Sequence, residues 1–96
     1  APDSAHVRSN LGVLLAKQGK PAEAVGHFQK VVSLEPQNAN AHYNLGNALF
    51  DLGQYAAAAV HYAEVLTLSP ADEAARRKLA LCRARQAAAA PTGGVP

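Results

Sequence analysis

Shifted against itself by 34 residues, the chain matches itself: residues 5–38 lie over residues 39–72 with twelve identities. Some are shared alanines that composition alone would supply. Asn10/Asn44, Leu11/Leu45, Gly12/Gly46, Gly19/Gly53, His27/His61 and Pro36/Pro70 are not. A period of this length predicts stacked supersecondary units, each burying its apolar face only against its neighbours. The unit is helical, because the 49% apolar share is dominated by alanine and leucine and only 5% is aromatic, which leaves little material for strands.

Within each unit the apolar residues recur at three- and four-residue spacing: Leu11, Leu14 and Leu15, then Leu45, Leu49 and Phe50. Gly19 and Gly53 stand where the first helix of each pair should stop, and Pro21 suits the first turn of the next. Val25, Phe28, Val31 and Val32 form the stripe of that second helix, repeated as Ala59, Tyr62, Val65 and Leu66. Pro36 and Pro70 end those helices, and Asn38 and Asp72 are placed to cap the following ones. The pattern predicts helices over Ser4–Gln18, Pro21–Leu34, Ala39–Leu52 and Tyr55–Leu68, with a fifth from about 72 to 90. Gly12 and Gly46 fall inside helices at a cost of about 1 kcal/mol each, which implies a close approach of the partner helix, with Ala24 and Ala58 as the small opposing surface.

The series Leu11-Gly12, Leu15, Ala24, Phe28, Pro36, repeated as Leu45-Gly46, Leu49, Ala58, Tyr62, Pro70, resembles the tetratricopeptide repeat. It departs from that signature at Arg8 and His42, which take the place of a leading aromatic. The resemblance implies an all-α, right-handed solenoid of two helix-turn-helix units and a capping helix. One domain would span 1–90 (repeats 5–38 and 39–72, cap 72–90), with residues 91–96 a disordered tail. Arg76 and Arg83 take positions on the fifth helix that a buried seam could not accept, as expected of a solubilising cap.

The resemblance also implies a concave face lined by the first helices, and hence a non-enzymatic scaffold that binds an extended peptide. It places Asn10 and Lys17 on that lining from the first repeat, Asn40, Tyr43, Asn44 and Asn47 from the second, and Arg77 and Lys78 from the cap. A side-chain amide offers both a donor and an acceptor, the pair a peptide group needs. Asn10 and Asn44, equivalent across repeats, would grip backbone whatever the ligand's side chains. Tyr43 and Phe50 offer apolar contact, with Phe50 the stronger candidate for the core. Residues 71–96 hold five basic and two acidic residues against four and five before them, so the cap end of the groove is positive and favours an acidic segment. Relatives that take chaperone tails use a clamp of Lys, Asn, Asn, Lys and Arg. Only Asn44 and Lys78 match it, while Ser9, Val13 and Ala74 depart from it.

Val7 and Leu14 leave two readings open. Their equivalents are the small residues Ala41 and Ala48, then Ala75 and Cys82, so the bulky apolar groups on the first helix are either a local packing adjustment or a second function, a face that meets upstream repeats or a second copy of the chain. Nucleic-acid binding is disfavoured by a net charge of only +2, and no apolar run reaches the length of a membrane span. The single Cys82 excludes an internal disulfide and reads as a buried, inert thiol. Neither His27 nor His61 has a histidine or cysteine four residues away on its own helix, so no metal or other cofactor is expected and the histidines read as surface residues. No catalytic constellation is evident. The start at Ala1 without methionine or leader reads as an excised domain or processed product, and the chain as cytoplasmic.

Overall fold

A computed structural model of the protein describes residues 4–89, which form five helices: α1 (Ala5–Lys17), α2 (Pro21–Leu34), α3 (Ala39–Asp51), α4 (Tyr55–Leu68) and α5 (Glu73–Ala89). Residues 91–96, expected as a tail, lie outside the described part. No strand occurs among the described residues. Gly19 and Gly53 break α1 and α3 with φ of +76° and +77°, a left-handed conformation that costs glycine almost nothing. Pro21 opens α2. The Asn38 side chain accepts a hydrogen bond from the Ala41 amide at 3.0 Å, and Asp72 accepts from Ala75 at 2.9 Å. Each cap satisfies a first-turn N–H that the helix itself leaves unpaired.

Each helix packs on the next in sequence, and α1 also touches α3 lightly. The result is a helical solenoid, 59 × 29 × 19 Å in extent. One core cluster runs through both repeats into the cap, with Phe28, Leu45, Leu49, Tyr62, Leu79 and Cys82 buried in it. Fully burying side chains of this size contributes about 1.5–3 kcal/mol each. On α5, Ala75, Leu79 and Cys82 face α4 and are buried, while Arg76 and Arg83 are exposed.

The mid-helix glycines have a different counterpart from the one expected. Ala24 and Ala58 are buried, but the groups seated on Gly12 and Gly46 are aromatic rings. A Cβ at Gly12 would lie 2.6 Å from the Phe28 ring, and one at Gly46 would lie 2.8 Å from the Tyr62 ring. Glycine is needed here for volume, because a flat ring lies against bare backbone.

Candidate concave face

α1 and α3 carry the asparagines onto one side of the molecule. Asn10, Asn40 and Asn44 line a single depression of about 480 Å³ together with His6, Ser9, Val13, Glu35 and Asn38. Asn44 also borders a second depression of about 260 Å³, lined by Val13, Ala16, Lys17, Phe28, Asn47, Ala48 and Asp51. Asn44 and Val13 therefore join two hollows of different character, the first ringed by amides and the second floored by apolar groups. Asn10 is exposed and its amide lies 3.3 Å from the His6 Nε2; Asn40 is exposed and Asn44 half-buried.

Asn47 has another commitment: its Oδ1 accepts the hydrogen bond of the Tyr62 hydroxyl, a ring wholly buried between α3 and α4. Burial, then Cys82, Tyr43 and Asp51, push the Tyr62 phenol far above its ordinary range, so it stays a donor. The corresponding residues of the first repeat are Val13 and Phe28, which need no such bond. Changed together, these two positions are the sequence signal that would have marked Asn47 as a structural partner. Tyr43 sets its ring edge against Tyr62 at 5.7 Å between centroids and is half-buried.

Phe50, expected in the core, is only partly covered. The Lys78 Nζ and the Arg85 guanidinium each stand 5.5 Å from its centroid, and Tyr55 meets it edge-on at 5.0 Å. Arg85 also donates to the Tyr55 hydroxyl at 3.3 Å. Cations over ring faces are held electrostatically, so Lys78 and Arg85 draw α5 onto the Phe50 ring of α3. Arg77 beside them is exposed.

The histidines depart furthest from the sequence reading. His42 is buried, its Nε2 donates to the Pro36 carbonyl at 2.8 Å, and its Nδ1 lies 3.1 Å from the His61 Nδ1. His61 is half-buried, and His27 is too, with a buried Nδ1 that has no hydrogen-bond partner among the described residues. Arg76, at the position of His42 one repeat later, likewise donates to a proline carbonyl, that of Pro70, at 2.8 Å. At these two positions, which stand in the place of the aromatic of the tetratricopeptide signature, the chain uses donors that tie α3 and α5 to the loops before them.

Burial pushes the Cys82 thiol up, against the pull of Lys78. Among the described residues no group of three or more His, Cys, Asp or Glu is arranged to hold a metal ion, and no helix is long and apolar enough to cross a membrane.

Comparison with known proteins sets this geometry in context. No match is found among curated proteins. Among solved structures, an arginine-to-glutamate mutant of MamA is 30% identical, with a TM-score of 0.83 over 91% of this chain and 64% of its own. A second MamA structure, MSR-1 C2, gives 30% identity and 0.83 over 91% of this chain and 50% of its own. The present chain thus spans less than two thirds of the length of either. The first TPR of Spaghetti (RPAP3), bound to the HSP90 peptide SRMEEVD, is 24% identical, with a TM-score of 0.86 over 90% of this chain and 68% of its own; at that identity the likeness bears on the fold alone. The tetratricopeptide-repeat profile matches residues 9–73 and again 43–90. Family members generally serve as non-enzymatic protein-interaction repeats, and with its helix pairs, loop glycines and closing prolines this chain belongs to the tetratricopeptide repeat family.

Proposed function

We propose that the chain is a non-enzymatic protein-interaction module whose concave face, built from α1, α3 and α5, holds an extended segment of a partner protein. The observation that carries this reading is the meeting of Asn10, Asn40 and Asn44 at one depression, with Asn44 shared by the next. Asn10 and Asn44 grip backbone amides, and the apolar floor of Val13, Ala16 and Ala48 takes a side chain between them. Arg77 and Lys78 favour acidic residues toward the cap. The RPAP3 structure supports a peptide as a ligand this fold can carry, although Ser9, Val13 and Ala74 remove most of the clamp used for chaperone tails.

The test is a peptide-library screen of wild type, Asn44→Ala and Asn10→Ala. One amide hydrogen bond is worth about 0.5–1.5 kcal/mol net, so each variant should bind the selected peptides roughly 2- to 10-fold more weakly. Undiminished binding by both variants contradicts the groove.

A second reading, assembly through the outer face of α1, is favoured by one contrast. Val7 and Leu14 are 56% and 51% exposed, whereas their equivalents Ala41 and Ala48 are 1% exposed beneath α2.

A further inference from the structure

The bonds at the joint between the two repeats define which nitrogen of His42 carries hydrogen. A carbonyl only accepts, so the His42 Nε2, 2.8 Å from the Pro36 oxygen, is the protonated nitrogen of the neutral ring. Its Nδ1 then bears a lone pair, and the His61 Nδ1 facing it at 3.1 Å must be the donor. The ring centroids lie 5.4 Å apart with only 27° between the planes, so the imidazoles meet nitrogen to nitrogen across the gap.

From this arrangement we propose that His42 and His61 form an acid-sensitive latch that holds α3, α4 and the Pro36 loop together and thereby sets the wall of the amide-lined depression. One proton on the pair leaves the bond intact, since whichever ring becomes an imidazolium donates and the neutral ring accepts. A second proton has only the accepting Nδ1 to occupy. There it sets N–H against N–H and places two positive rings side by side, and the bond is lost. The loop that His42 holds supplies Glu35 and Asn38, which line the depression with Asn10, Asn40 and Asn44. Loosening it moves one side of the groove relative to the other.

The surrounding charges are few. Glu64 on α4 draws His61 toward the charged form, while burial first and His42 second hold it below the ordinary histidine range. At the end of α2, Glu35 is occupied by the Asn38 amide at 2.9 Å. On α5, Arg76 pairs with Glu73 at 2.6 Å and serves the next loop. On α1, Arg8 stands at the position equivalent to His42, and a guanidinium has no acceptor with which to copy the bond. His61 therefore holds its proton less readily in the folded state than in the unfolded chain, so its contribution to stability is present above the ordinary histidine value of about 6.5 and lost as pH falls through its lower folded value. The latch itself opens at the lower pH where the pair takes its second proton.

The latch is independent of any peptide ligand, and the isolated protein tests it. In ¹⁵N spectra of the imidazoles at pH 8, His42 should show the Nε2–H tautomer and His61 the Nδ1–H tautomer. On acidification the rings should titrate in two coupled steps, and the side-chain amides of Asn38, Asn40 and Asn44 should shift with the second. A melting temperature that falls between pH 7 and pH 5 in wild type should fall less in His61→Gln, whose amide can donate to His42 without titrating. Two independently titrating rings, or His42 found as the Nδ1–H tautomer, overturn the latch. Asparagine amides that ignore the titration overturn its link to the groove. The wild-type spectra decide both points even if the variant does not fold.

Discussion

At the scale of single residues, Asn47 and Tyr62 show how a side chain that reads as a ligand group can belong to the core. The Tyr62 hydroxyl is buried with Asn47 as its acceptor, and losing that partner leaves a polar group dry, at about 1–3 kcal/mol. Asn47→Ala should therefore destabilise the protein by that amount in denaturant unfolding. Combining Tyr62→Phe with Asn47→Val, which copies the first repeat, should recover most of it, and additive losses would argue against the pairing. Gly46→Ala is the companion case. Alanine improves helix propensity by about 1 kcal/mol, yet its Cβ would stand 2.8 Å from a ring that has no room to move. A net loss of about 1–3 kcal/mol is expected, and a gain in melting temperature would show that the ring yields. The sequence marks Gly46 as special but does not reveal that a ring lies over it. The His42–His61 bond was equally hidden, because it joins two helices through side chains that no periodicity brings together.

At the scale of helices, the chain is readable because its punctuation is local. Gly19, Gly53, Pro21, Pro36 and Pro70 act through their own backbone geometry, and Asn38 and Asp72 cap within three residues. The expected helix ends differ from those observed by a residue or so, within the range where a cap and a last turn merge. Asn38 does more than end a loop: its Oδ1 caps α3 while its Nδ2 donates to Glu35. Asn38→Ala should cost about 1 kcal/mol and lower the melting temperature by roughly 4–8 °C for a domain of this size. An unchanged melting temperature would show that the loop is held by His42 alone. Arg76 and His42 share the tie to a proline carbonyl. The sequence marked His42 as a departure from the family signature and Arg76 as a solubilising residue of the cap, without indicating what either binds, since a backbone acceptor leaves no mark in composition.

At the scale of the molecule, stacking has a consequence at each end. At one end of the described stack α5 carries Arg76 and Arg83 exposed, whereas α1 presents Val7 and Leu14 at the other. If that face mediates assembly, sedimentation should become concentration-dependent in wild type and remain monomeric in Leu14→Glu. A monomer at every concentration removes this second reading and leaves the groove untouched. The repeat period made the stack readable, and with it the meeting of Asn10 and Asn44 on one side, because every thirty-fourth residue returns to the same face. The tie between Asn47 and the buried Tyr62 hydroxyl depends on how neighbouring helices seat, which period alone does not specify. The most direct measurement is amide chemical-shift mapping with a peptide selected from the library. Perturbations should gather on Asn10, Asn44 and their neighbours on α1, α3 and α5 and spare exposed positions on α2 and α4 such as Gln29 and Val60. A footprint centred on Val7 and Leu14, or on the backs of α2 and α4, would contradict peptide binding in the concave face.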